Sequence, residues 1–131
     1  GEGKKAQTEA LNKLLKEESD KGNYVIACGD FNQTFNNVYI GHYPVHKGLW
    51  KPGKIDISEY DSSLNFVMDG THPTCRSLDK PLKGADKSKF QFYAIDGMIY
   101  SSNIEMKSCK TQDLGFKHSD HNPVVAEIRL K

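Results

Sequence analysis

The longest strongly apolar run in this chain is five residues, Tyr24 to Cys28. A membrane-spanning helix needs about 20, so no span is expected, and any core must be assembled from short segments. Leu, Ile, Val and Phe together make 29 of the 131 residues, about 22%, close to the roughly 20% below which disorder is the default. A folded but polar single domain follows, because a chain of about 150 residues buries only roughly 70% of its unfolded surface, in one modest core. The charges nearly cancel, with 18 Lys and Arg against 17 Asp and Glu for a net charge of +1. That balance excludes a strongly basic nucleic-acid arm and an acidic disordered tail.

Between Lys4 and Ser19, Ala6, Ala10, Leu11, Leu14 and Leu15 return to one helical face while Lys and Glu fill the other, which predicts an amphipathic helix covering a sheet. Gly22 is its expected stop. Tyr24 to Cys28 reads as a strand apolar on both sides, as in the middle of a helix-covered sheet. Residues 41–89 hold four of the five prolines, Pro44, Pro52, Pro73 and Pro81, and predict loops with short strands. Phe90 to Ile95 leads into Asp96 to Tyr100 as a strand interrupted by one acid. Ile104 to Thr111 alternates loosely, and Val124 to Leu130 suits a strand with one buried face. The first 23 residues are polar and show no secretory signal. Cys28, Cys75 and Cys109 form no C-x-x-C pair and no spaced His/Cys set, which argues against structural zinc and allows at most one disulfide.

Three stretches put polar groups at the end of an apolar strand, where open sheets flanked by helices expose ligand-binding residues. They are Gly29-Asp30-Phe31-Asn32, Ile95-Asp96-Gly97 and Ser119-Asp120-His121-Asn122-Pro123. The first also suits a plain turn, since Asp and Asn bond their own backbone there. Asp96 inside an apolar strand needs a partner if buried. A site using both Asp120 and His121 must hold them in a turn, because adjacent side chains of a regular strand point to opposite faces.

In this order the motifs Val-Ile-Ala-Cys-Gly-Asp-Phe-Asn, Ala-Ile-Asp-Gly-Met-Ile-Tyr-Ser and His-Ser-Asp-His-Asn-Pro-Val resemble the C-terminal half of the endonuclease/exonuclease/phosphatase superfamily. That superfamily includes deoxyribonuclease-I-like nucleases, abasic-site endonucleases, neutral sphingomyelinases, poly(A) deadenylases and inositol polyphosphate phosphatases. The resemblance implies an α/β (α+β) fold that is half of a four-layer α/β/β/α sandwich, with a mixed, mostly antiparallel sheet covered by helices on one face. It implies a divalent-metal-dependent phosphoesterase using Mg²⁺ or Mn²⁺, in which Asp30 and Asn32 contact the attacking water and the scissile phosphate. Asp120, with Asp30, would help hold the metal, His121 would bind a phosphoryl oxygen or move the proton, and Asp96 would orient it. Whether Asp30 or His121 is the general base stays open.

Family members have roughly twice this length, and their N-terminal half supplies an asparagine, a metal-binding glutamate and a second histidine. The expectation is therefore that residues 1–131 form half of one domain, inactive alone, which pairs with that half or self-associates through an exposed sheet face. The substrate is a phosphoester, whether nucleic acid, phospholipid or a small phosphate ester. Arg76, in Thr71 to Arg76, either meets a phosphate or is a solvated surface residue. Trp50 packs more readily than it stacks on a base, and the near-zero net charge weakens a nuclease reading. The alternative to an enzyme is a non-catalytic binding or interaction module on the same scaffold, for which this polar set has no physical need.

Overall fold

The computed structural model describes residues 2–131. One helix, α1 (Glu2–Asp20), precedes nine strands: β1 (Ile26–Asp30), β2 (Gln33–Phe35), β3 (Gly53–Ile55), β4 (Leu64–Val67), β5 (Cys75–Arg76), β6 (Phe92–Tyr93), β7 (Asp96–Ser101), β8 (Ile104–Thr111) and β9 (Val124–Leu130). Pairing gives a three-stranded sheet in the order β1-β7-β4 and three two-stranded sheets, β2-β3, β5-β6 and β8-β9. Only β2-β3 is parallel. The class is mixed α and β with small, mostly antiparallel sheets. Two large sheets stacked between helical layers are not displayed among the described residues.

The apolar stripe of α1 is narrower than its sequence suggests. Leu15 is buried and Leu11 packs beside it on the main core, whereas Ala6 and Ala10 are exposed and Leu14 is 55% exposed. Polar contacts complete the docking: the Asn12 side chain accepts the Asp61 backbone amide through Oδ1 at 2.8 Å, just before β4. Gly22, at φ +84°, ends the helix as expected, its amide bonding to the Ser19 carbonyl at 2.9 Å, in the left-handed conformation that glycine adopts without steric cost.

Beneath the helix, Phe35 and Ile99 are fully buried. Phe31, Phe35, Phe66 and Tyr60 follow one another at centroid separations of 5.0 to 5.4 Å, the tilted and edge-on contacts that aromatic quadrupoles favour. Register aligns Ala27, Ile99 and Phe66 across the three strands, so this sheet face meets the core. The other face carries Ile26, Cys28, Met98 and Tyr100, and Ile26 is 41% exposed.

Several expectations are corrected here. The first strand lies two residues further on than Tyr24 to Cys28, and it is the edge of its sheet, not the middle, because β7 pairs with both β1 and β4. The stretch from Phe90 to Tyr100 is not one strand: β6 and β7 belong to different sheets, with a break at the buried pair Ala94 and Ile95. Asp96 therefore opens a strand. In β9, Val124, Ala126 and Ile128 are half-buried on one face, but Leu130 is 53% exposed.

Candidate active site

Antiparallel pairing of β1 with β7 sets Gly29 opposite Gly97 and Asp30 opposite Asp96. Directly opposed side chains share a sheet face with Cβ atoms about 5 Å apart, and like charges there repel. Two carboxylates thus stand side by side at one end of the sheet, which calls for a cationic or proton-bearing neighbour. Gly97 is required by the approach of β4: a Cβ there would lie 2.7 Å from the Val67 carbonyl oxygen.

The neighbour is His121, delivered by the short strand β5. Cys75 and His121 form an antiparallel bridge, bracketed by Arg76 N–H donating to the Asp120 carbonyl at 3.0 Å and Asn122 N–H donating to the Thr74 carbonyl at 2.9 Å. Asn122, buried, locks the loop by donating to the Pro73 carbonyl at 2.9 Å and accepting from the Leu114 amide at 3.2 Å. Thr74, fully buried, holds the other side, since its hydroxyl oxygen accepts from the Ile95 and Asp96 amides at 3.0 and 3.3 Å. Ser119 to Asp120 follow bends rather than a strand, and the Ser119 hydroxyl accepts the His121 amide at 3.1 Å.

His121 Nδ1 meets Asp96 Oδ2 at 2.9 Å. Its Nε2 lies 3.7 Å from Asp30 Oδ2 and 4.0 Å from Asp120 Oδ2, beyond hydrogen bonding to either. The contact with ionised Asp96 assigns a proton to Nδ1 and leaves Nε2 facing the opening between two carboxylates. Burial pushes the Asp96 carboxyl above its ordinary value; the hydrogen bonds of Thr74 and His121 oppose this, and Asp30 adds to the rise. Burial also drives the Cys75 thiol up to about 12, helped by the carboxylates of Asp120, Asp96 and Asp30.

Asn32 sits two residues past Asp30 at φ +52°, with its backbone N–H donating to Asp30 Oδ1 at 2.8 Å. This short turn keeps Asp30 Oδ2 free. The residues open onto a cleft of about 520 Å³, shared by Asp30, Asn32, Trp50, Arg76, Asp120 and His121. Trp50 is half-exposed and packs edge-on against Tyr93 at 5.0 Å. Arg76 is half-buried, with its guanidinium 5.7 Å over the Phe90 ring and Nη1 donating to the Ser77 carbonyl at 2.9 Å. It lines the cleft but is already engaged by the fold. A separate cleft of about 610 Å³ along α1 and β3 contains none of these groups.

The six residues singled out in the sequence meet in this region: Asp30, Asn32, Arg76, Asp120 and His121 line the cleft, and Asp96 joins them through His121 Nδ1. Thr74 and Cys75 were missed, with no spacing signal to find them, whereas Asn122 lies in the Ser119 to Pro123 motif, where the following proline restricts it to extended backbone. Two donor sets have ligand atoms within 4.8 Å of one another: Asp30, Asp96 and His121, and Cys75, Asp120 and His121. Neither set holds Asp30 and Asp120 together; each offers hard carboxylate oxygens, and Mg²⁺ is commonly held by one or two carboxylates while keeping several waters. The chain matches no protein-family model, no curated protein and no solved structure.

Proposed function

We propose that this chain carries part of the active site of a divalent-metal-dependent phosphoesterase, and that residues 1–131 form the C-terminal half of a four-layer α/β/β/α domain like those of the endonuclease/exonuclease/phosphatase superfamily. The observation that carries the reading is the imidazole of His121, held at Nδ1 by Asp96 while Nε2 faces a cleft between Asp30 and Asp120. A non-catalytic module has no need for a histidine oriented in this way.

Each group has a role. Asp96 fixes the ring and stabilises its charged form when Nε2 takes a proton. Protonated, Nε2 donates to a phosphoryl oxygen; neutral, it accepts a proton from water. Asp30 Oδ2 is the other group able to take that proton, and Asn32 supplies an amide that can contact the phosphate. Asp120 and Asp30 would hold Mg²⁺ or Mn²⁺, which when bound would supply electrostatic stabilisation of charge developing on phosphoryl oxygens. Trp50 offers a half-exposed face beside the phosphate, compatible with a nucleic acid, phospholipid or small ester.

The partner in this reading is a complementary half-domain, or a second copy, covering the sheet face that carries Ile26 and Cys28. Sedimentation of the chain as a well-folded monomer at high concentration overturns self-association. For the activity, the protein containing this chain is assayed on a chromogenic phosphodiester, plasmid DNA and sphingomyelin, with Mg²⁺ or EDTA. Hydrolysis that stops in EDTA supports the reading, and equal rates in EDTA overturn the metal-dependent mechanism.

A further inference from the structure

We propose that Cys75 Sγ, an Asp120 carboxylate oxygen and His121 Nε2 form a binding site for a thiophilic divalent cation, Zn²⁺ in the first instance, that switches the phosphoesterase site off. The inhibition rests on the function proposed above; the binding does not.

The donors come from two parts of the chain, Cys75 on β5 and the adjacent residues Asp120 and His121, joined by the Cys75–His121 bridge. Their ligand atoms already lie within 4.8 Å of one another. Tetrahedral zinc with bonds of about 2.0 to 2.3 Å sets neighbouring donors about 3.3 to 3.7 Å apart, so side-chain movements of roughly 1 Å close the site. Cys75 is 7% exposed overall but borders the cleft, which gives an entry path and leaves a fourth position for water.

The outer arrangement is also that of a zinc-ligating histidine. Such residues usually donate their other ring N–H to a carboxylate, which fixes the tautomer and raises ligand basicity, and Asp96 Oδ2 receives His121 Nδ1 at 2.9 Å. Thiolate and imidazole select zinc, whereas Mg²⁺ prefers oxygen alone. Binding displaces the Cys75 proton to solvent. It also takes up Nε2, the atom that would meet the phosphate, and withdraws Asp120 from the role proposed for it above. Asp120 cannot serve both ions, and His121 cannot hold zinc and meet the phosphate at once.

The test uses Co²⁺ as a spectroscopic stand-in for zinc, added to the purified chain without substrate. A near-ultraviolet thiolate-to-cobalt absorption is expected that Zn²⁺ abolishes. It should persist in the Cys28→Ser, Cys109→Ser double variant, where Cys75 is the sole thiol, and vanish in Cys75→Ser. Asp96→Asn should weaken Zn²⁺ affinity by about 10- to 100-fold, the usual cost of losing an outer carboxylate. No thiolate band in the wild-type chain, or a band surviving Cys75→Ser, overturns the site. In the hydrolysis assay, Zn²⁺ should inhibit the wild-type protein and spare Cys75→Ser; equal inhibition of both overturns the switch while leaving the phosphoesterase reading intact. Cobalt binding to the chain, with no hydrolysis by the protein that contains it, overturns the activity, and with it the switch, but upholds the metal site.

Discussion

His121 and Asp96 are joined through Nδ1 and Oδ2 at 2.9 Å, although 25 residues separate them and they lie on different elements. The contact satisfies a half-buried carboxyl and turns the opposite ring nitrogen toward Asp30 and Asp120. His121→Ala should leave the fold intact, since the ring is partly exposed, and lower kcat at least about 10²-fold, the low end of a general acid–base contribution. Steady-state kinetics of the active protein checks this, and an unchanged rate removes His121 from the mechanism.

Asp96→Asn separates stability from function. The folded Asp96 carboxyl titrates above its ordinary value of 3.8 because burial disfavours its charge. Its contribution to stability is therefore fully present below that value and lost as pH rises through the raised one. Near pH 8 the Asn variant should melt at or above the wild type, and below about pH 4 the two should converge. Activity should fall in the same variant. Calorimetry across pH reads the first effect; a lower Tm for the variant at pH 8 contradicts the burial argument.

Thr74→Val removes the hydroxyl that accepts the Ile95 and Asp96 amides at a fully buried position. Leaving buried donors unpaired costs about 1 to 3 kcal/mol. Urea denaturation should show that loss, with Thr74→Ser recovering most of it. If Val is as stable as Thr, those amides have other partners and Thr74 does not organise the rim.

At Gly97 an added methyl meets the Val67 carbonyl oxygen at 2.7 Å and the Met68 side chain at 3.1 Å. Backbone cannot give way cheaply, so Gly97→Ala should cost about 1 to 3 kcal/mol, as overpacking does. It should also shift Asp96, the adjoining residue, and weaken its contact with His121. The ¹⁵N shifts of the His121 imidazole report that change directly.

Some of the fold was legible locally. The 3.6-residue recurrence of Leu11 and Leu15, the stop at Gly22 and the alternation from Val124 to Ile128 are patterns within single segments, and each corresponds to an element. The face that α1 buries was only partly legible, since Ala6, Ala10 and Leu14 fit the same stripe yet stay in solvent. Strands of two residues such as β5 have no period to detect. The split between β6 and β7 was hidden because Phe92 to Tyr100 is apolar throughout apart from Asp96 and Gly97. It arises where the chain changes pairing partners.

The sequence by itself determined which chemistry this protein can offer: carboxylates, an amide and an imidazole at the ends of short apolar segments, with too little apolar surface for more than one modest core. Only the tertiary structure decided which of them meet. Side-chain convergence is set by register and by cross-strand hydrogen bonds, and a one-residue slip turns every side chain of a strand to the opposite face. The pairing of Asp30 with Asp96, and the bridge from Cys75 to His121, are facts of that kind. They place a thiol beside the imidazole that no spacing in the chain announces, because bonds between strands, not distance along the polymer, fix which donors share a rim.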